Sequence, residues 1–492
     1  MSQVRLPRVI DAPRAESASS PRSAARLTAE GRVPPRGCDH RRVITDSAQE
    51  YRGVAEAAWR WVLDQVRWDG GPWIPESAGI SEISEYRDSM YSGVGGLAYV
   101  LAEIRLARGW TAEERGVAEA IVKRLTGRIE DEIDYSFFGG LVSSIGVLTA
   151  LEVPGAQAAV DRLIALRTRD GWPQTAVGRP RFLPDALVND ATLGTAGILL
   201  GALWARRAGL ANAGDLGAQA ASVLMAEREE VPTGVNWQWV PHRFHAEPPR
   251  QMPNFSHGLA GIAATLALAG TELDRPDLTG AATLGAEHLV TLGRTDGGGF
   301  VVPRTIPSNP DQDVFTYNWC HGPAGTSLLF LALDLAGVED VAGEPPLAWH
   351  RRCLHSVRTS GLPARRHPGF WDNDGRCCGT AGVGEVFLDS WQRFGGTDDL
   401  EFAVHLADTL VERAVQDGPH AYWRFIEHRD PEPLLPPGVG WMQGAAGIAA
   451  FLFRISRVLR DGRDATPVTR MDSWWALPTP SSSLATGGGP RG

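Results

Sequence analysis

The sequence predicts an all-α fold, an α/α toroid of seven helical-hairpin repeats with an inner and an outer ring of helices, and three observations lead to it. First, a glycine, two small or apolar residues, a second glycine and an apolar run recur at intervals of roughly fifty to sixty-five residues, a period that marks stacked supersecondary units. Second, amphipathic segments lie between the copies, with apolar residues three and four apart and charges on the other face. Third, the glycine-led segments are apolar nearly all round, so they belong in the interior. An inner ring of seven glycine-led helices with the amphipathic ones outside is the economical arrangement.

Taken in order, the copies read YSGVGGLAYVLAEI from Tyr91, the looser FFGGLVSSIGVLTAL from Phe137, LGTAGILLGALW from Leu193 and SHGLAGIAATLAL from Ser256. CHGPAGTSLLFLAL from Cys320, CCGTAGVGEVFLD from Cys377 and MQGAAGIAAFLF from Met442 complete them. Outer helices are expected in GVAEAIVKRLTGRIEDE from Gly116, AQAAVDRLIALRTR from Ala156 and FAVHLADTLVERAVQ from Phe402. A Gly-x-x-Gly entry permits a sharp turn and close backbone approach, so all the inner helices can start at one end of the ring. Residues 1–45, rich in Arg, Pro, Ser and Ala without apolar periodicity, and the Pro/Ser/Gly-rich tail 476–492 are expected to be disordered, leaving 46–475 as the folded domain.

With 43% hydrophobic and 22% charged residues the composition is that of a soluble globular protein. A net charge of −10 and a pI near 5.7 speak against nucleic acid and for a small molecule or peptide as partner. No run of about eighteen apolar residues suggests an integral membrane segment, and the N-terminus lacks the apolar stretch of a secretory signal, so a cytoplasmic location is expected.

Immediately before the first glycine of the repeats stand Ser92, Leu193, His257, His321, Cys378 and Gln443, positions that ring closure turns toward one shared cavity. A purely structural repeat would carry similar small residues there; histidines and cysteines point to a site. Of five cysteines, Cys38 falls in the N-terminal segment and Cys353 on an expected outer helix, where a buried thiol is an ordinary small hydrophobe. Cys320, Cys377 and Cys378 share the cavity rim. Three thiols there are a candidate zinc site, and three protein ligands leave the fourth position open, as catalytic zinc sites do. Of the tryptophans near the motifs, Trp237, Trp239, Trp319, Trp371 and Trp441, burial between helices is the expected role, with no peptide contact assigned.

WCHGPAG at Trp319, SHGLAG at Ser256 and CCGTAG at Cys377 resemble the lanthionine synthetase C-like family, the cyclases of lanthipeptide biosynthesis and their relatives, from about residue 48 to about residue 460. The resemblance implies a seven-fold α/α toroid and a zinc ion held by Cys320, Cys377 and Cys378. The family's commoner pair is Cys-His; the Cys-Cys pair here resembles the subset with three cysteine ligands. It further implies that a cysteine thiolate of a dehydrated precursor peptide adds to dehydroalanine or dehydrobutyrine, forming a thioether ring. His257 matches the active-site histidine, as acid for the enolate or base for the thiol. Asp190 matches the acidic residue that interacts with that histidine. His321 is a candidate for stabilising the enolate oxygen. Each has a plainer reading as a helix or turn cap.

The chain leaves no room for a fused dehydratase, kinase or lyase, so a separate dehydratase or kinase/lyase partner is expected. Two other functions compete: addition of a small thiol such as glutathione to dehydrated residues, and a non-catalytic peptide-binding toroid. A carbohydrate-active α/α barrel would instead show paired cavity carboxylates.

Overall fold

The structure, a computed structural model, describes residues 40–473 except 175–180, 248–249, 311, 365–372, 427–433 and 469, with side chains left out at 40–45, 425–426 and 434–435. The two terminal segments expected to be disordered lie largely outside these residues, as do Cys38 and Trp371. Among the described residues the fold is built from fourteen α-helices.

Seven helices follow the glycine motifs: α2 (Leu97–Ala107), α4 (Leu141–Ala150), α6 (Thr195–Arg207), α8 (Leu259–Glu272), α10 (Pro323–Leu335), α12 (Thr380–Phe394) and α14 (Ala445–Asp461). Each packs on the next, and α14 packs back on α2, which closes the inner ring. In α8 every residue from 259 to 270 is buried, as an interior position demands. The outer ring is α1 (His40–Asp64), α3 (Ala112–Thr126), α5 (Ala156–Leu166), α7 (Ala213–Ala226), α9 (Pro276–Leu292), α11 (Pro346–Thr359) and α13 (Thr397–Arg413). These bury one stripe only; in α13 it is Ala403, Leu406, Ala407 and Leu410, the three-and-four spacing of an amphipathic helix. Short antiparallel hairpins, such as Glu229–Val231 with Gly234–Asn236, decorate the connections.

The pairing of the hairpins departs from a simple repeat. Six inner helices pack against the outer helix that follows them, but the outer partner of α14 is α1, from the other end of the chain. Ser456 on α14 donates to the Ala48 carbonyl at 2.6 Å across this closure. Helix α1 begins at His40, a little ahead of residue 46, where composition placed the edge of the fold.

The glycine motifs work by close approach. A Cβ on Gly261 would overlap the Phe255 carbonyl, and one on Gly382 the Arg376 carbonyl, because the loop before each helix crosses its first turn. Those loop carbonyls take up the first N–H groups of the helix: Thr380, Ala381 and Gly382 donate to Asn373, Asp374 and Gly375. Thr195, Ala196 and Gly197 repeat the pattern with Val188, Asn189 and Asp190. The free N–H groups that a helix start would offer to a thiolate are therefore already used at α12.

At the same position of each repeat the loops are joined into a belt. Met442 N–H donates to Tyr91 O, Cys377 to Met442, Cys320 to Cys377 and Ser256 to Cys320; Phe137 donates to Thr192, and Met90 and Tyr91 to Phe138. Only between the third and fourth repeats does a side chain replace the backbone donor, the Thr192 hydroxyl bonding Ser256 O at 3.2 Å.

Beneath the belt, inner helices expected to be apolar carry charge. Glu103 (α2), Glu385 and Asp389 (α12), Arg454 and Arg457 (α14) are buried, with Arg376 from the α12 loop and Arg470 from the segment after α14. Arg454 pairs with Glu385 and, at 2.6 Å, with Asp389; Arg457 pairs with Glu103; Arg376 reaches Glu385 at 2.8 Å. Arg470 reaches Asp472 at 3.1 Å, so four arginines face four carboxylates in the interior. The Trp441 ring lies between the Arg376 and Arg470 guanidiniums, at 4.2 and 4.9 Å.

Candidate metal centre

The starts of α10 and α12 bring three thiols together. Cys378 Sγ lies 3.4 Å from both Cys320 Sγ and Cys377 Sγ, and the three sulfurs lie within 4.8 Å of one another. That is far beyond a disulfide bond of about 2.05 Å; the thiols are free. It is close to the edge of about 3.8 Å that a tetrahedron with Zn–S near 2.3 Å requires. The residues are 3%, 8% and 6% exposed, so a thiolate there has almost no water to stabilise it. Burial, together with the other two sulfurs, pushes the Cys320 thiol well above its ordinary pKa. At Cys377 the hydrogen bond with Cys320 favours ionisation, Cys378 and burial oppose it, and the balance is again upward. A buried set of sulfurs that resist ionisation alone is the donor set a cation suits. The fit is good, and the three sulfurs can hold a metal ion. Cys353, by contrast, stands alone on α11, its thiol raised by burial.

Next around the rim are the histidines. His257, half-buried at the start of α8, faces Asp190 Oδ2 with Nδ1 at 2.6 Å, and Asp190 is fully buried. Asp190 Oδ1 accepts from the Leu193 N–H at 2.7 Å and the Thr192 N–H at 3.2 Å, so it caps the turn as well as meeting the histidine. The Thr192 hydroxyl lies 3.0 Å from both Asp190 Oδ2 and His257 Nδ1. An Nδ1–H donated to the carboxylate leaves Nε2 with the lone pair. The His257 ring is 5.7 Å from Trp239 and 5.6 Å from His321.

Burial, followed by the charges of His257 and Arg304, lowers the His321 pKa to about 3, so its ring is neutral. Its Nδ1 and the neighbouring Asn318 Nδ2 are buried without a hydrogen-bond partner. The six residues singled out in the sequence thus form two adjoining groups, the sulfurs and the Asp190–His257 pair, with His321 next to both Cys320 and His257.

Three contributors escaped the sequence reading: Thr192, Asn318 and Tyr91. Repeat alignment offered a signal for Tyr91, at the Cys377 position of the first repeat, as for Gln443, at the Cys378 position of the last. The tryptophans divide: Trp237 and Trp441 are fully buried between helices, whereas Trp239 stands against His257. A cavity below the rim is lined by Phe138, Trp319, Arg376, Glu385, Met442 and Ser473. Three carboxylates, Glu385, Asp389 and Asp472, do line it, but each is paired with an arginine rather than presented as a free acid and base.

The fold is similar to that of a solved nisin cyclase, with a TM-score of 0.52 at 13% identity over 80% of this chain and 93% of that one. Lin0763 from Listeria innocua (TM-score 0.46, 11% identity, 84% and 98% covered) and a GH76 α-mannanase from Bacteroides thetaiotaomicron (0.45, 12%, 85% and 99%) are more distant in shape. No curated protein matches the sequence significantly. The sequence does match the profile of lanthionine synthetase C-like proteins over residues 84–459. Matched over more than half of its length, the chain belongs to the lanthionine synthetase C-like family.

Proposed function

We propose that the protein is a zinc-dependent lanthipeptide cyclase that adds a peptide cysteine thiolate to dehydroalanine or dehydrobutyrine, forming (methyl)lanthionine rings. The observation that carries this reading is the convergence of three buried thiols with an Asp190-bound histidine on one rim. Cys320, Cys377 and Cys378 would hold the zinc, which when bound lowers the pKa of a substrate thiol and presents it as thiolate. His257, its Nδ1–H held by Asp190, takes the thiol proton on Nε2. As the S–Cβ bond forms, the electron pair of the C=C bond moves onto the carbonyl as an enolate. Neutral His321 can donate an N–H to that oxygen. His257 then returns its proton to Cα, so the thiol hydrogen ends on carbon and nothing is lost. The Thr192 hydroxyl, with one proton to give either to Asp190 or to the belt carbonyl of Ser256, stands between the pair and the belt.

The substrate in this reading is a dehydrated precursor peptide, prepared in the cytoplasm by a separate dehydratase or kinase/lyase. No described helix is long and apolar enough to cross a membrane. Metal analysis should find about one zinc per chain. His257→Ala should keep the zinc while cyclisation of a dehydrated peptide slows by about 10²–10⁴-fold. Zinc-free active protein, or His257→Ala cyclising at the parental rate, would overturn the assignment. So would a parent protein that joins glutathione to the dehydrated peptide and leaves its own cysteines linear.

A further inference from the structure

Ring closure sets the first and seventh repeats beside the cysteine doublet, and each contributes a polar side chain there. Gln443, in the seventh repeat, holds the position that Cys378 holds in the sixth. Its Nε2 donates to the Tyr91 hydroxyl oxygen at 3.0 Å and lies 3.6 Å from Cys378 Sγ, a normal N–H···S separation. An amide nitrogen carries two hydrogens, one for each partner. The Asn373 amide faces Gln443 Oε1 at 3.4 Å, which orients the side chain with its nitrogen toward the sulfur.

Tyr91 accepts from Gln443, so its hydroxyl oxygen fixes the far end of the amide. The tyrosine is anchored on several sides. Its N–H donates to Phe138 O, its carbonyl accepts from Met442, and its ring stands edge-on to Phe138 at 5.8 Å.

We propose that Gln443, oriented by Tyr91 and Asn373, is a hydrogen-bond donor aimed at Cys378, which positions that sulfur and draws negative charge from its thiolate when the metal is bound. The inference rests on the zinc reading above. Three thiolates around a divalent cation would leave one net negative charge in a nearly dry site. Donors to sulfur spread that charge without occupying the open coordination position. Gln443 and Tyr91 are therefore positioning residues, acting through the ligands.

The test uses Gln443→Met, which removes the donor, and Tyr91→Phe, which removes the acceptor that orients it, both conserving shape, in the full-length chain. Zinc content should stay near one per chain, and zinc affinity, measured by competition with a chelator, should fall about 10–100-fold, the usual effect of removing a partner of a metal ligand. In the cobalt(II)-loaded protein the thiolate-to-metal charge-transfer band should move to lower energy, because a sulfur without its donor holds its electrons less tightly. A role confined to packing would lower the melting temperature and leave the band where it is. Unchanged affinity and band in both variants, with a parent that binds zinc, would overturn this proposal alone. A parent that binds no zinc would remove the reading beneath it. Should Tyr91→Phe fail to fold, Gln443→Met carries the same two outcomes.

Discussion

Two regions near the axis of the toroid bury titratable groups, the rim and the charge network beneath it, and they differ in the chemistry of the groups they gather. In the network four arginines meet four carboxylates, and the Trp441 ring is held between two guanidiniums. Its charges lie opposite one another as ion pairs, although the three Arg470 nitrogens, Asp472 Oδ1 and Glu103 Oε2 are buried without a hydrogen bond. At the rim three sulfurs lie within 4.8 Å of one another, and His321 Nδ1 and Asn318 Nδ2 are buried without a hydrogen bond. Buried polar groups are normally paired. The network supplies its carboxylates with their own cations, whereas the rim gathers sulfur donors that, under the proposed reading, a metal ion would suit.

The widest test of this contrast breaks the network. Arg454→Met strands Asp389 and leaves Glu385 to Arg376, and should cost about 3–5 kcal/mol in denaturant unfolding, the effect of stranding a buried charge. The chains that remain folded should still bind zinc. Loss of zinc at parental stability would reverse the roles given to the two regions.

The second test loads the rim. Zinc at about a hundred times its Kd should stabilise the parent by about 2.7 kcal/mol, since only the folded state gathers the three thiols. Cys320→Ala should lose most of the bound zinc and most of that stabilisation. An equal shift in parent and variant would mean that the metal binds elsewhere.

A finer distinction lies within the doublet. Cys378→His keeps three ligands with one thiolate fewer, so zinc should be retained, while ring closure slows, most of all onto the more hindered dehydrobutyrine. Cys378→Ala leaves two ligands and should weaken zinc binding. Equal zinc content and unchanged cyclisation in Cys378→Ala would make the second cysteine a bystander. The smallest effect expected is that of Thr192→Val, which removes the hydroxyl shared by Asp190, His257 and Ser256. At about 1 kcal/mol for a lost hydrogen bond, cyclisation should slow by several-fold with zinc untouched. A parental rate would show that Asp190 alone orients the histidine.

Much of this was legible in the chain because it is local and repeated. The glycine spacing marks the seven inner helices, since any side chain on Gly261 or Gly382 would strike the crossing loop. The three-and-four spacing in α13 gives the stripe it buries. Cysteine and histidine at equivalent places in successive copies announce a shared site, because a ring brings equivalent positions together. Tertiary structure alone decided what depends on closure and on side-chain direction. The last hairpin is completed by α1 from the far end of the chain, a pairing with no local pattern. Asp190 meets His257 across 67 residues of sequence through one rotamer on each side, with Thr192 between them. Charges on α12 and α14, which read as breaks in otherwise apolar helices, are tolerated only because partners from distant segments converge on them. Periodicity is a property of neighbours along the chain; the pairing of a donor with its acceptor is a property of neighbours in space.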